Sequence, residues 1–327
     1  MDYNKRLRNL YSRREDLASI QNVNFSKSFG VEAYYSIKNA TAWKYAKDGM
    51  SEVPNDYSEK SFEEGNRIID QLKGRLSQVE FRFQGSVTTR TNIKSYSDID
   101  LLVITTKFFS LEKGIPNLNP YKGNSMQDLQ KLREKCISIL KEIYYTAGVE
   151  PHAKSIKISG GSLKRMIDVV PANWYDTKEY RRENNEIYRG VEVFNAEEKK
   201  RFANFPFLLK EQIEKKDKDT NGYYRKCVRL AKNLKCDSET KILENFSSYD
   251  IQSLFFYMDF DYLRQQKDDF YVIPKVVEYL QDLISHSQKF LSLEVIDGTR
   301  KISDRVSQKE LRALFDEFSE LKGYVVG

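Results

Sequence analysis

The 327-residue chain has little cysteine and little histidine. Its three cysteines, Cys136, Cys227 and Cys236, form no CxxC pair, and their odd number argues against a structural disulfide framework. The two histidines, His152 and His286, are too few for a Cys/His zinc site of the usual spacing, and we interpret both as structural or surface residues. Any metal that the chain binds should therefore be a hard cation held by oxygen ligands.

Long apolar runs are also missing. No segment approaches the roughly 20 apolar residues of a transmembrane helix, and the N-terminus has no apolar signal-peptide core. We therefore expect a cytoplasmic protein without a membrane partner. The formal net charge is only +6. That excess suits polyanionic substrates such as nucleotides but is too small and dispersed for a dedicated DNA-binding protein, and many proteins carry it without any functional role.

Helix-like and strand-like segments divide the chain into two parts. The first part mixes both, with helices expected near 3–20, 31–47, after the capping-box pattern Ser61-x-x-Glu64, and at 126–145, and with strands expected at 79–83, 98–104, 155–159, 165–172 and 190–194. The second part reads as helices at 206–216, 223–235, 249–263 and 274–291. We predict a catalytic domain over 1–200, a helical domain over 201–327 and a boundary near 195–205, with N-terminal helices that could pack on either.

The stretch FQGSVTTRTNIKSYSDIDLLVI places two carboxylates on an apolar strand. Side chains alternate along a strand, so Asp98 and Asp100 project to one face while Ile99 points into the core. Two carboxylates at this spacing repel each other unless a cation lies between them. Mg²⁺ commonly binds one or two carboxylates together with substrate phosphates, and two such ions can clamp an in-line displacement.

Two further features extend this pattern. Gly85 and Ser86 follow a strand, where a glycine lets the backbone approach a phosphate and the serine hydroxyl adds a hydrogen bond. Asp168 lies in a second apolar strand and is the best candidate for a third carboxylate. Each feature alone is common: paired aspartates mark solvated strand ends, and Asp168 could be a salt-bridged edge residue. Together, in this order, they are far more specific.

These residues resemble the nucleotidyltransferase superfamily that includes DNA polymerase beta, the poly(A) polymerases and the cyclic-GMP-AMP synthases. Gly85-Ser86, Asp98-Ile99-Asp100 and Asp168 match its signature in order and type. The resemblance implies an α+β fold, in which a polymerase-beta-like mixed-sheet lobe packs against a helical lobe with the active site in the cleft between them. It also implies two Mg²⁺ ions, with Mn²⁺ as an alternative, held by the three aspartates.

The second half carries CVRLAKNLK followed by FSSYDIQSLFF, which is similar to the helical lobe of cyclic-GMP-AMP-synthase-like enzymes. The bacterial members of this group are the cyclic-oligonucleotide synthases of anti-phage defence, the CD-NTases. On that resemblance Lys232 would meet the triphosphate, Ser248 would hydrogen-bond a phosphate and Tyr249 would stack on the base. Alternatively, Lys232 is a solvated surface charge, Ser248 an N-cap residue and Tyr249 a packing residue. The stretch IDGTRKISDRV resembles a late Asp-Pro segment of the bacterial members, with Gly298 in place of the proline.

The resemblance predicts an enzyme that joins NTP substrates into a cyclic di- or trinucleotide and releases pyrophosphate. It leaves open a regulatory protein partner, or an effector that reads the product. The chain lacks the Cys/His-rich zinc insertion of animal DNA-sensing members, so DNA activation by that route is not expected. Two alternatives remain: transfer to an RNA 3′ end or a protein side chain, for which the arginines and tyrosines of 180–189 could form a groove, and non-catalytic nucleotide sensing.

Overall fold

A computed structural model describes residues 2–14, 39–94, 99–266 and 268–325. These residues form seven strands, β1 (Val79–Gln84), β2 (Ile99–Leu111), β3 (Gly148–Pro151), β4 (Ile156–Ser159), β5 (Ile167–Asp176), β6 (Gly190–Asn195) and β7 (Lys200–Asn204). The described helices are α1 (Tyr3–Arg14), α2 (Ala40–Met50), α3 (Asn55–Lys73), α4 (Ser125–Ile143), α5 (Lys178–Glu183), α6 (Pro206–Asp219), α7 (Tyr223–Asp237), α8 (Ser248–Phe256), α9 (Asp261–Arg264), α10 (Val272–Ser285), α11 (Ser287–Ser292) and α12 (Gln308–Val325).

The chain forms two compact units. The sheet unit comprises Pro54–Arg90 and Tyr96–Glu211, and the helical unit comprises Met1–Val53, Thr91–Ser95 and Gln212–Gly327. The domains were predicted at 1–200 and 201–327, with a boundary near 195–205. The two units instead divide between Glu211 and Gln212, inside the continuous helix α6. The N-terminal helices belong to the helical unit. The parts of the predicted helices at 15–20 and 31–38, and Asp98 itself, lie outside the described residues.

The sheet of the sheet unit is mixed. Its order is β1-β2-β5-β4-β3, with β6 paired to β5 and β7 paired to β6. Strands β2 and β5 are parallel, and the other pairs are antiparallel. The strand at 79–83 and the three at 155–194 are confirmed, as is the strand that continues from Ile99. Strands β3 and β7 were not predicted, because each is short, lies at a sheet edge and carries polar residues that obscure a period of two.

The two faces of the sheet bury different groups. On one face, alternate residues of β2 and β5 pack against α3 and α4; this core contains Ile99, Leu101, Val103, Ile167 and Val169 together with Ile68, Leu72, Leu132, Cys136 and Leu140. The opposite face carries a second cluster, formed by Leu102, Ile104, Val170, Ala172, Trp174, Val191 and Val193, against which Phe207 packs. Since Ile99 is buried in the first core, the next residue, Asp100, faces the other way.

The start of α3 corrects a prediction. The helix begins at Asn55, after Pro54, so Ser61 lies in its second turn and is no capping residue. The Ser61 hydroxyl instead donates to the Tyr57 carbonyl oxygen at 3.1 Å. Proline has a fixed φ and is tolerated at the start of a helix. The helix therefore starts directly after Pro54, about two turns earlier than the Ser-x-x-Glu pattern indicated.

Ion pairs join α1 to later helices within the helical unit. Arg6 of α1 lies 2.7 Å from Glu317 of α12, and both side chains are buried. Arg13 contacts Asp237 of α7 at 2.6 Å, and the hydroxyl of Tyr45 donates to the same carboxylate at 2.8 Å. Removing one member of such a pair leaves an uncompensated buried charge, so these contacts fix where α1 and α2 pack.

Two of the predicted helices are broken. The segment expected at 249–263 is divided into α8 and α9, and the segment expected at 274–291 is divided at His286 into α10 and α11. The three cysteines are unpaired, as predicted. Among the described residues, no helix combines the length and the apolar character that crossing a membrane requires.

Candidate active site

Two of the three predicted carboxylates are brought together by the sheet. Asp100 of β2 and Asp168 of β5 are directly paired in the parallel register. Adjacent strands lie about 4.8 Å apart, and paired residues share a face of the sheet. Both aspartates therefore point away from the core under α3 and α4, and both are half-buried.

The row that contains the aspartates continues onto both neighbouring strands. Gln84 of β1 is paired with Asp100, and Lys157 of β4 is paired with Asp168. The Ser155 hydroxyl donates to Asp168 Oδ1 at 3.4 Å. A lysine opposite one carboxylate offsets part of the repulsion between the two acids. Sequence reasoning missed Ser155 and Lys157, although an alternating Ser-x-Lys on a strand beside Asp168 is a readable signal.

Gly85 lies against Asp100 for a steric reason. Its φ is +94°, and a Cβ added to it would lie 2.9 Å from Asp100 Oδ2. A side chain at this position would thus be strained and would collide with the carboxylate. After Gly85 the chain turns tightly: the hydroxyl of Thr88 donates to the Gly85 carbonyl at 2.8 Å, and the Arg90 amide donates to the Val87 carbonyl at 3.2 Å. We call Gly85–Arg90 the phosphate turn; Ser86 within it is half-buried.

The donor set fits a hard divalent cation. Asp100 and Asp168 supply carboxylate oxygens from adjacent strands, which is the ligand type that Mg²⁺ and Mn²⁺ prefer. Within the described residues no three His, Cys, Asp or Glu side chains lie close enough together to bind a metal. The third predicted ligand, Asp98, lies outside those residues, and its role stays a prediction.

Lys232 of α7 is buried, with 7% of its surface exposed, so the alternative of a solvated surface charge is wrong. Its ammonium donates to the carbonyl oxygen of Thr91 at 2.7 Å. Burial lowers the pKa of Lys232 to about 8. An ammonium has three donors, so one bond to Thr91 is compatible with a further contact to phosphate. That contact stays a prediction.

The start of α8 corrects a second alternative. The N-cap residue is Ser247, whose hydroxyl oxygen accepts from the Asp250 amide at 3.1 Å. Ser248, the next residue, is exposed and is the first residue of the helix. Its role is therefore not N-capping, and the predicted phosphate contact from an exposed position at a helix N-terminus stays open to test.

Tyr249 is half-buried, and its ring lies 5.9 Å from the guanidinium of Arg300. Burial, with Asp297 nearby, raises the pKa of its hydroxyl well above the ordinary value. Arg300 also pairs with the buried Asp250. Gly298, in this segment, has a φ of +68°, which proline cannot adopt. The backbone thus explains why this chain departs from the Asp-Pro pattern.

The basic loop that suggested an RNA groove is neutralised by acids. Arg189 and Arg181 lie 2.8 Å and 3.6 Å from Asp176, and Arg182 lies 2.8 Å from Glu183. The Arg189 guanidinium also stacks 4.3 Å above Trp174. These charges are engaged within the sheet unit, which weakens the case for a polyanion-binding groove in this loop.

Comparison with known proteins places the chain in a family. A family described as the cGAS/DncV-like nucleotidyltransferase C-terminal helical domain matches residues 211–323, where the helical unit resumes. The chain is 38% identical to the cyclic dinucleotide synthase CdnE of Yersinia aleksiciae, over 82% of this chain and 72% of that protein. It is 33% identical to a c-di-GMP synthase of Capnocytophaga granulosa, over 88% of this chain and 90% of that protein.

The fold agrees with these sequence matches. The structure of the STING-associated CdnE c-di-GMP synthase from Capnocytophaga granulosa matches 99% of both chains with a TM-score of 0.81 at 31% identity. The predicted α+β fold and the predicted family are therefore confirmed. With its matched helical domain and its two relatives above 30% identity, the chain belongs to the cGAS/DncV-like nucleotidyltransferases, the CD-NTases, and is a nucleotidyltransferase.

Proposed function

We propose that this nucleotidyltransferase joins two NTPs into a cyclic dinucleotide and releases one pyrophosphate at each of two steps. The observation that carries the proposal is the pairing of Asp100 with Asp168. The turn beside them needs glycine at position 85, because any side chain there would collide with the Asp100 carboxylate. The relatives support cyclisation, because the Yersinia aleksiciae and Capnocytophaga granulosa proteins are both cyclic dinucleotide synthases by name.

In this proposal each residue has a defined task. Asp98, Asp100 and Asp168 hold two Mg²⁺ ions, or Mn²⁺, which when bound would neutralise charge on the triphosphate. Gly85 and Ser86 bind its outer phosphates. Asp168 also orients the attacking ribose hydroxyl and accepts its proton. The hydroxyl oxygen forms a bond to the α-phosphorus while the bond from that phosphorus to the β-phosphate oxygen breaks.

The helical unit is proposed to bind the donor nucleotide. Ser248, exposed at the N-terminus of α8, would hydrogen-bond a phosphate, and Tyr249 would stack on the base through the ring face away from Arg300. Lys232 would contribute a second donor to the triphosphate. Helix N-termini favour anions because their first amides lack partners, which supports the phosphate contact at Ser248.

We further propose that GTP is the substrate and c-di-GMP the product. Three relatives, between 27% and 33% identical over most of their length, are c-di-GMP synthases by name. The product would act as a second messenger in the cytoplasm, read by an effector protein in anti-phage defence. The Capnocytophaga granulosa synthase is described as STING-associated, which supports an effector of the cyclic-dinucleotide-binding kind.

The test is product analysis. The purified chain is incubated with each NTP alone and with all four, with Mg²⁺ or Mn²⁺, and the products are treated with phosphatase and identified by mass spectrometry. GTP alone should give a phosphatase-resistant cyclic dinucleotide, and Asp100→Asn should give none while retaining its circular dichroism spectrum. Extension of an added RNA without a small cyclic product, or nucleotide binding without turnover at any metal concentration, would overturn the proposal.

A further inference from the structure

The segment that follows the phosphate turn is held by the helical unit. Thr91 and Asn92 are buried, with 0% and 3% exposed, and Thr91–Ser95 belongs to that unit. Side chains of α7 and α8 bind Thr91 directly. The Lys232 ammonium donates to its carbonyl oxygen at 2.7 Å, and the Gln252 amide donates to its hydroxyl oxygen at 3.1 Å.

Thr91 is the residue directly after the phosphate turn. The turn is closed by its own hydrogen bonds up to Arg90, which has a φ of +56°. A chain that reverses this tightly has little freedom between its first and last residues. Fixing the backbone of Thr91 therefore fixes the end of the turn opposite Gly85.

Both anchoring residues are costly as pure packing groups. Lys232 is a buried cation whose pKa burial lowers to about 8. In the described part of the chain, the Oε1 atom of Gln252 is buried and has no hydrogen-bond partner. An unsatisfied buried amide oxygen costs about 1–3 kcal/mol, and an apolar residue at the same position would not incur it. Local arrangements that reduce stability are concentrated at functional positions.

We propose that Gln252 and Lys232 are positioning residues of the nucleotidyl transfer reaction: by holding Thr91 they fix the phosphate turn and so the place at which Gly85 and Ser86 meet the triphosphate. The inference rests on the proposed function. It gives Gln252, which no sequence motif indicated, a role in the reaction. It gives Lys232 a task that does not depend on direct phosphate contact.

The experiment compares Gln252→Ala, Thr91→Val and the double variant. Because displacement of a binding group by about 1 Å can cost on the order of 100-fold in rate, each single variant should lower kcat for cyclic dinucleotide formation about 10- to 100-fold. The double variant should be no slower than either single one, since both changes remove the same contact. Gln252→Glu should restore part of the activity, because its carboxylate can accept a bond from the Thr91 hydroxyl.

Hydrogen exchange measures the turn directly. The amides of 86–94 should exchange faster in Gln252→Ala and in Lys232→Met than in the wild type, at unchanged circular dichroism. Ser253→Ala is the matched control: it lies beside Gln252 on α8, is buried and accepts from the Ile296 amide at 3.2 Å. It should leave the exchange of 86–94 and the value of kcat unchanged.

The outcomes separate this inference from the proposed function. Additive losses in the double variant, or wild-type exchange of 86–94 in the variants, would overturn the positioning role. A raised KM in Lys232→Met with full activity in Gln252→Ala and Thr91→Val would also overturn it, in favour of a phosphate contact alone. If the wild type makes no cyclic product, the proposed function fails, and the exchange measurement still decides whether Gln252 and Lys232 hold the turn.

Discussion

Replacing Lys232 by methionine should remove a cost from the folded state. Its ordinary pKa of 10.5 falls to about 8 in the fold. At about 1.4 kcal/mol per pKa unit, burying the charged ammonium costs about 3 kcal/mol at pH 7. Against this, Lys232→Met leaves the Thr91 carbonyl without this donor, a loss of about 1–3 kcal/mol. The free energy of unfolding should therefore stay the same or rise by up to about 2 kcal/mol.

The pH dependence gives the sharper result. Since the pKa of Lys232 is lower in the folded than in the unfolded chain, the unfolded chain binds more protons between about pH 8 and 10.5. The contribution of Lys232 to stability therefore rises with pH through this window and is lost as the pH falls through 8. Between pH 7 and pH 9 the contribution of Lys232 to the free energy of unfolding should rise by about 1 kcal/mol. Lys232→Met should lack this rise, because methionine does not titrate.

Urea unfolding followed by circular dichroism at pH 7, 8 and 9 measures both quantities. The difference in unfolding free energy between wild type and Lys232→Met should shift by about 1 kcal/mol towards the wild type from pH 7 to pH 9. The exposed Lys241 supplies the control, because Lys241→Met should follow the wild-type curve. Parallel pH curves for wild type and Lys232→Met would refute the reasoning, since Lys232 would then not titrate near pH 8 in the fold.

Three further predictions concern the active site and the start of α8. Asp100→Asn and Asp168→Asn should each lower product formation at least about 100-fold with the fold retained, and full activity in both would contradict a catalytic carboxylate pair. Gly85→Ala should destabilise by about 1–2 kcal/mol and reduce activity, because of its positive φ and the approach to Asp100; wild-type melting and kinetics would show that the turn adapts. Ser247→Ala should cost about 1 kcal/mol in thermal unfolding, whereas Ser248→Ala should leave stability unchanged and raise KM for GTP; the reverse pattern would exchange their roles.

The sheet part of the site could be predicted because its signals are local. Apolar residues around Asp100 and Asp168 identified two strands. A charge in an apolar strand needs compensation, which indicated that the two aspartates bind the same cation. Their direct pairing follows from the parallel register of β2 with β5, which confirms the proximity of two carboxylates. Glycine at 85 was predicted to let the backbone approach a phosphate, and that contact stays a prediction; the structure adds that a Cβ there would lie 2.9 Å from Asp100 Oδ2.

The remainder depends on distant contacts. The burial of Lys232 was not readable from its helix, because the group that binds it, the Thr91 carbonyl, lies 141 residues earlier in the chain. The contact of Gln252 was missed for the same reason, since the Thr91 hydroxyl that it binds lies 161 residues earlier. The cap at Ser247 rather than Ser248 was missed because two adjacent serines offer the same hydroxyl, and only the backbone conformation selects between them.

The buried pair of Arg6 and Glu317 has a consequence for biosynthesis. These residues are 311 positions apart, yet each is the other's partner inside the helical unit. At about 5–20 residues per second, a ribosome needs on the order of half a minute to supply the second after the first. During that time α1 emerges without the carboxylate that its arginine requires. We therefore expect the newly made α1 to depend on chaperones, and truncation of α12 to leave the buried Arg6 without its carboxylate partner.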